Sequence, residues 1–217
     1  MNKELYKRIM SSIILIPLTI IIIVTGSYLF NFFILLCFVI TLYEWHMMSK
    51  KRTYSKYGFF FLIFSFYCVY FVRNELGDKG LFFFLFILIV CICTDIGGYT
   101  FGKVFKGPKL TNISPKKTYS GVIGSYILPI LIIYILFSNI FNLEFNLDIF
   151  EYNIFVYVIF ISSVSQVGDI IISYFKRLSK IKDTGNIIPG HGGILDRIDG
   201  MIFVFPFFYV LNLFFKI

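Results

Sequence analysis

The chain has 217 residues, of which 58% are hydrophobic and 15% are charged, against about 45–50% and 25% in soluble globular domains. This composition, with 29 Phe and 15 Tyr, excludes a soluble globule, because one core of this size could not bury so much apolar surface. The net charge of +8 does not indicate a nucleic-acid partner, since the basic residues occupy short loops where they suit anionic lipids and nucleotides.

Apolar runs divide the chain at regular intervals. A helix that spans a bilayer needs about 20 mostly apolar residues, with about 17 as the lower limit. The runs predict an all-α integral membrane protein, a polytopic helical bundle with about seven transmembrane helices, at residues 9–25, 28–44, 58–72, 81–101, 122–140, 154–172 and 201–215. The first run is short and follows Lys3, Lys7 and Arg8, so a secretory signal peptide is an alternative that leaves six spans.

The basic residues alternate in number from one connecting segment to the next. Because short cytoplasmic loops carry the excess of Lys and Arg, the N-terminus is predicted to be cytoplasmic. All but three of the 20 basic residues then lie on the cytoplasmic side, the exceptions being Arg73, Lys79 and Lys216. We expect one membrane domain over 1–217, with N-terminal helices at 1–93, a cytoplasmic loop at 94–121 and C-terminal catalytic helices at 122–217.

Carboxylates occur where two predicted helices approach the cytoplasm. Asp95 and Asp169 follow long apolar stretches, and a carboxylate at such a depth indicates a functional site unless it only marks the interface. Asp183, Asp196 and Asp199 lie in the same cytoplasmic region, among Lys and Arg residues. Polyphosphates are bound by cations from the protein and by metal ions whose ligands are oxygens, so this mixture of charges indicates nucleotide chemistry.

Asp196 and Asp199 are three residues apart, so on a helix they share one face and could reach one divalent ion. Mg²⁺ takes one or two carboxylates together with substrate phosphates and water, and Asp169 is the expected further ligand. A surface ion pair with Arg197 is the alternative interpretation of this short motif.

The stretch 190–193 reads Gly-His-Gly-Gly. Its small residues allow backbone N–H groups to approach a phosphate, although a flexible turn would have the same composition. The chain contains no Walker A sequence, so a nucleotide would be held differently from one in a P-loop protein.

Two longer patterns carry more information. The first, in 95–121, comprises Asp95, Tyr99, Gly102, Lys109, Leu110, Ile113, Ser114, Pro115, Lys117, Thr118 and Gly121. The second, in 173–199, comprises Ser173, Phe175, Lys176, Arg177, Lys182, Asp183, Gly185, Ile188, Pro189, His191, Gly192, Gly193, Ile194, Asp196, Arg197, Ile198 and Asp199. The second pattern resembles, position for position, the signature of phosphatidate cytidylyltransferases, and the first resembles that family's cytoplasmic loop. Gly98 and Ser120 depart from the family, which usually has Ala and commonly Glu there.

The resemblance implies Mg²⁺-dependent transfer of a cytidylyl group from CTP to phosphatidic acid, which yields CDP-diacylglycerol and pyrophosphate. We assign the metal to Asp169, Asp196 and Asp199. The expected catalytic residues are Lys176, Arg177, Lys182, Asp183, His191 and Arg197. The expected substrate-binding residues are Asp95, Ser114, Lys116, Lys117, Ser173, Gly192 and Gly193.

Two other functions remain open at this stage. One is a related CTP-dependent transferase that acts on another lipid, and the other is a membrane transporter of anionic metabolites, which would place charges near broken helices at mid-membrane. The expected partners are CTP, phosphatidic acid and membrane lipids, and the expected location is the bacterial inner membrane with the active site facing the cytoplasm. A second ion such as K⁺ and a homodimer are also left open.

Overall fold

A computed structural model describes residues 3–50, 52–111, 114, 117–140, 154–190 and 192–215. Within these ranges the chain forms α-helices and one short 3₁₀ helix, Gly77–Lys79, and no β-strand. The helices are α1 Lys3–Thr25, α2 Ser27–Ser49, α3 Ser55–Asn74, α4 Gly80–Phe105, α5 Tyr119–Ile140, α6 Ile154–Leu178, α7 Leu195–Ile198 and α8 Met201–Phe215.

Within the described ranges, five stretches of helix are long and apolar enough to cross a membrane: Ser27–Ser49, Ser55–Asn74, Gly77–Phe105, Tyr119–Leu136 and Ile154–Leu178. The apolar helices Met10–Thr25 and Met201–Phe214 are shorter than a full span. Large apolar side chains such as Phe32, Phe60 and Phe160 lie exposed on the outside of the bundle, where only lipid could solvate them. The prediction of an all-α integral membrane protein is therefore confirmed, while the count of seven spans stays a prediction.

The turn between α1 and α2 depends on a glycine and on a distant arginine. Gly26 adopts a φ of 64°, a conformation that ends a helix readily only when no Cβ is present. The guanidinium of Arg73, from α3, donates to the carbonyls of Ile23 and Val24 at 3.0 and 3.3 Å. These carbonyls belong to the last turn of α1, so Arg73 satisfies acceptors that the helix leaves unpaired.

Helix α4 lies at the centre of the bundle, in contact with α3, α5, α6 and α8. Its buried side chains include Phe83, Ile87 and Val90, which join Phe208 of α8 in the main hydrophobic core. The backbones of α4 and α5 approach so closely that a Cβ added at Gly97 would lie 2.2 Å from the carbonyl oxygen of Gly124. Small residues permit such contact between membrane helices, and here they bring the start of α5 beside the polar end of α4.

The connection between α4 and α5 is shorter than the predicted cytoplasmic loop at 94–121. Helix α4 continues to Phe105 and α5 begins at Tyr119, so Asp95 lies within a helix, more than two turns before its end. The predicted loop begins at the polar residues and glycines of 94–98, but these lie within the helix, where Gly97 and Gly98 pack against α5. Between the two helices the structure describes 106–111, 114, 117 and 118, and Lys109 pairs there with Thr118 through an isolated antiparallel bridge.

Candidate active site

A polar cavity of about 350 Å³ lies between the C-terminal halves of α4 and α6, the N-terminal half of α5 and the segment around α7. Six of the predicted site residues line it: Asp95, Ser114, Lys117, Asp169, Asp196 and Asp199. Other polar groups on its wall, none of them among the predicted site residues, are Thr94, Tyr99, Thr118, Ser125 and Gln166. The two patterns at 95–121 and 173–199, which are far apart in the sequence, therefore meet at one cavity.

On α6, Asp169 is held by two neighbours. Its carboxylate lies 2.6 Å from the Lys117 ammonium, and its other oxygen accepts a hydrogen bond from Ser173 at 3.2 Å. Both members of the ion pair keep about a quarter of their side-chain surface exposed, 25% for Lys117 and 29% for Asp169. A positive and a negative group are thus presented to the cavity side by side, while Ser173 orients the carboxylate from within the helix.

Lys176, also on α6, is buried and lies between two carboxylates. Its ammonium is 3.0 Å from Asp196 and 3.7 Å from Asp199. A buried ammonium requires such partners, because its desolvation is otherwise too costly. Asp196 lies in the short helix α7 and Asp199 directly follows it, and both approach the same cation, as their spacing of three residues predicts.

The two aspartates differ in what else they contact. Asp196 also accepts hydrogen bonds from the backbone N–H groups of Thr184 and Gly193, at 2.8 and 3.0 Å, through its second oxygen. Three donors therefore use both of its oxygens. One oxygen of Asp199 accepts the N–H of Gly200 at 3.0 Å, and its other oxygen lies 3.7 Å from the Lys176 ammonium. Asp199 thus has the greater capacity to bind a cation in the cavity.

Electrostatics around Asp199 favour the arrival of a positive charge. Burial, followed by the nearby Asp169 carboxylate, raises the pKa of Asp199 to about 8, although the Lys176 ammonium opposes the rise. A carboxyl whose pKa is raised by burial and by a neighbouring carboxylate is stabilised in its ionised form by a cation that enters beside it. The donor set is therefore chemically suited to a divalent metal ion.

The described part of the chain contains no preassembled group of three or more His, Cys, Asp and Glu side chains close enough to hold a metal ion. Lys176 and Lys117 occupy the space nearest to Asp196 and Asp169. Since Mg²⁺ commonly uses one or two carboxylates and takes its other ligands from phosphates and water, this arrangement fits an ion that arrives with a nucleotide.

Several predicted residues lie away from the cavity wall. Arg177 is exposed and donates to the carbonyl of Ile181 at 3.1 Å, and Lys182 and Asp183 are exposed. Arg197 lines a neighbouring cavity instead. Lys116 and His191 lie outside the described residues.

The glycines at 192–193 allow their loop to pack closely against other parts of the chain. Gly192 has a φ of 87°, and a Cβ at Gly193 would lie 2.4–2.6 Å from oxygens of Thr184 and Glu44. The N–H of Gly193 is donated to Asp196. These contacts hold the loop in its fold, so a phosphate-binding role of these two glycines stays a prediction.

Glu44, near the end of α2, is the main residue that the sequence analysis missed. It is 1% exposed and accepts hydrogen bonds from the N–H groups of Ile194 and Leu195 at 2.9 and 2.8 Å and from the Thr184 hydroxyl at 3.0 Å. It thereby joins α2 to the segment that carries Asp196. Glu44 is the only acidic residue between Glu4 and Glu75, and an isolated carboxyl at the end of an apolar run was the available signal.

Apolar helices that surround a cavity lined by carboxylates and ammonium groups define an integral membrane protein with a site for a charged ligand. The chain belongs to the cytidylyltransferase family, whose model matches residues 6–77 and 49–215. It is therefore a nucleotidyltransferase enzyme, and the resemblance noted from the two sequence patterns is confirmed.

Individual relatives agree with the family model. The chain is 33% identical to the phosphatidate cytidylyltransferase of Rickettsia typhi over 221 residues, which cover 98% of this chain and 94% of that protein. Identity to the phosphatidate cytidylyltransferase of Rickettsia prowazekii is 34% over 219 residues, with the same coverage. The corresponding enzyme of Bacillus subtilis is 36% identical over 171 residues, 76% of this chain and 61% of that protein.

Proposed function

We propose that this protein is a phosphatidate cytidylyltransferase that converts CTP and phosphatidic acid to CDP-diacylglycerol and pyrophosphate. The observation that carries the proposal is that Asp169, Lys117 and Asp199 line one cavity of an apolar bundle, with Lys176 buried against Asp199. A nucleotide and a lipid phosphate both need such a mixed site, and relatives that align over nearly the whole chain bear this enzyme's name.

The chemistry needs positioning and charge neutralisation more than it needs a general base. The phosphate of phosphatidic acid is already anionic, so one of its oxygens can attack the α-phosphorus of CTP directly, while the bond to the β-phosphate breaks and pyrophosphate leaves. Repulsion between the two anions is the main barrier that the site has to lower. Lys117 lines the cavity, and Lys176 lies against Asp196 and Asp199 on its wall, so both cations can lower this repulsion. We retain as further members of the charged surroundings Arg177, Lys182, Asp183, Arg197, Lys116 and His191.

In this proposal Asp169 and Asp199 would hold Mg²⁺, and Asp95 lines the same cavity. Asp196, which the sequence analysis also assigned to the metal, instead orients Lys176 and the loop around Gly193 in this proposal, because its oxygens already accept three hydrogen bonds. When bound, Mg²⁺ would neutralise the triphosphate and polarise the α-phosphorus. Ser114 and Lys117 would contact the nucleotide from the α4–α5 connection. A second ion such as K⁺ and a homodimer stay predictions, and we assign no residues to either.

Metal removal gives the first test of this arrangement. Purified protein freed of divalent ions with EDTA is expected to lose CDP-diacylglycerol formation, because the carboxylates alone repel the triphosphate. Addition of Mg²⁺ in excess over EDTA is expected to restore it, whereas the same concentration of K⁺ is not. Undiminished turnover in EDTA would contradict the metal assignment.

The proposed topology has seven spans, a cytoplasmic N-terminus and an active site that opens to the cytoplasm of a bacterial inner membrane. Its support is the distribution of Lys and Arg. In a cysteine-free background, Lys50→Cys and Glu75→Cys place a thiol after α2 and after α3, both at exposed positions. In intact cells a membrane-impermeant maleimide is expected to label Glu75→Cys. It should label Lys50→Cys only after the membrane has been permeabilised. The reverse labelling pattern would show that the protein has the opposite orientation in the membrane.

Lipid choice separates the proposal from its closest alternative, a CTP-dependent transferase acting on another lipid. The purified protein should be given labelled CTP with phosphatidic acid, with a polyprenyl phosphate or with an ether-linked phosphatidate analogue, in separate mixed micelles. We expect phosphatidic acid to give the highest kcat/KM and CDP-diacylglycerol as the lipid product. A higher kcat/KM with the polyprenyl phosphate would support the alternative. The transporter hypothesis is replaced by the membership in an enzyme family.

A further inference from the structure

A second cavity, of about 280 Å³, lies on the other side of α7 from the polar one. Its walls come from α1, α2, α3, α4 and α8, with side chains such as Ile20, Ile34, Phe66 and Leu88. We call it the apolar cavity. Among the described residues that line it, Arg197 is the only charged one. The lining thus combines a hydrocarbon surface with one cation.

Two elements border both cavities. Along the segment around α7, Asp196 and Asp199 line the polar cavity while Arg197 lines the apolar one. On α4, Ile92 lines the apolar cavity and Asp95, about one turn later, lines the polar cavity. The charges of Arg197 and Asp95 interact across this boundary. A molecule with a charged head in one cavity could therefore extend a hydrophobic tail into the other.

We propose that the apolar cavity binds one acyl chain of the lipid substrate, with the Arg197 guanidinium against the lipid phosphate at the border with the polar cavity. Arginine suits this place, since its planar donors bind phosphate oxygens in pairs. A free nucleotide would gain nothing from the hydrocarbon walls, whereas an anionic amphiphile matches both parts of the lining. The proposal rests on the proposed function for the identity of the lipid.

The size of the cavity limits what it can hold. Its volume is near the lower end of small-ligand pockets, about 300 Å³, so it accommodates part of one acyl chain and leaves the second chain in the bilayer. The protein should consequently respond to the length of one chain, and filling the cavity should impair long-chain substrates most.

Cys37 and Leu36, neighbours on α2, provide a matched pair of variants. Cys37 lines the apolar cavity, whereas Leu36 is 48% exposed and does not line it. Cys37→Trp is expected to raise the KM for dioleoyl phosphatidic acid by about tenfold, the effect of removing roughly two methylene groups from apolar contact. The KM for CTP and the turnover of a short-chain phosphatidate should stay close to wild type. Leu36→Trp should change none of these constants.

Photolabelling of the unaltered protein tests the site without any turnover. The probe is a phosphatidic acid with a diazirine near the end of one acyl chain, in nanodiscs, and the adducts are located by mass spectrometry. We expect adducts at cavity residues such as Ile34 and Leu88, reduced by unlabelled dioleoyl phosphatidic acid and not by uncharged dioleoylglycerol. Adducts confined to lipid-facing residues, or the same rise in KM for Cys37→Trp and Leu36→Trp, would overturn the proposal.

The two experiments also separate this inference from the function on which it rests. Cavity adducts that phosphatidic acid displaces, without any CDP-diacylglycerol formed by the wild-type protein, would refute the proposed function and support the lipid site. Normal CDP-diacylglycerol formation without cavity adducts would support the proposed function and refute the lipid site.

Discussion

Asp199→Asn is expected to reduce CDP-diacylglycerol formation by roughly 10²–10³-fold, the cost of losing one preorganised electrostatic contact to a developing charge. Asp199 lies 3.7 Å from Lys176 and keeps 13% of its side-chain surface exposed toward the cavity. Asparagine has nearly the same shape and its oxygen still accepts the N–H of Gly200, so the fold should survive. The measurement is kcat/KM of protein purified in detergent, together with its elution in size-exclusion chromatography.

The control for this prediction is Asp78→Asn, which removes one negative charge from the short 3₁₀ helix Gly77–Lys79, away from the cavity. It should leave kcat/KM unchanged. Asp196→Asn should differ from both, because an amide nitrogen in place of the second oxygen would face the N–H groups of Thr184 and Gly193. We expect it to lose stability as well as activity. Wild-type turnover in Asp199→Asn would remove this residue from the reaction.

Glu44→Ala is expected to destabilise the protein and to abolish activity, although Glu44 does not line the polar cavity. The change leaves three buried donors without an acceptor, two of them backbone N–H groups at the start of α7. Each such donor costs about 1–3 kcal/mol, so the free energy of unfolding should fall by about 3 kcal/mol or more. Unfolding by denaturant in mild detergent measures this loss, and kcat/KM measures the effect on the site.

Thr184→Val is the matched control, since it removes only one of the three hydrogen bonds and preserves the shape of the side chain. It should cost about 0.5–1.5 kcal/mol and retain most of the activity. Glu44→Gln should lie between the two in stability, because it keeps one acceptor oxygen and places an amide nitrogen near backbone donors. If Glu44→Ala unfolded at the wild-type denaturant concentration, the buried carboxyl would not be the support of α7 that its contacts indicate.

The sequence predicts the helices of this protein well and their ends less well. Apolar runs locate α2 to α6 because lipid demands about 20 apolar residues of any span. The predicted loop at 94–121 begins too early, because α4 continues through Gly97 and Gly98 to Phe105. Those glycines are present because α5 packs there, and a pattern within one helix carries no information on the helix that contacts it.

A similar limit applies to the site. Asp95, Asp169, Asp196 and Asp199 were predicted from carboxylates beside apolar stretches, and all four line the cavity. The pairing of Lys176 with Asp196 could not be predicted, since it joins residues on different elements that only the loop between them brings together. Glu44 was missed for a related reason, because its partners are about 140–150 residues away. Long-range contacts of this kind depend on the tertiary structure and leave no local pattern.

The fate of the phosphates of CTP tests the central claim most directly. The purified protein should be incubated with phosphatidic acid and Mg²⁺, once with CTP labelled at the α-phosphate and once with CTP labelled at the γ-phosphate. Attack on the α-phosphorus at the polar cavity predicts that the α label appears in the lipid product and the γ label in pyrophosphate, with both transfers lost in Asp199→Asn. Transfer of the γ label to lipid, or retention of both labels in CTP, would contradict the mechanism.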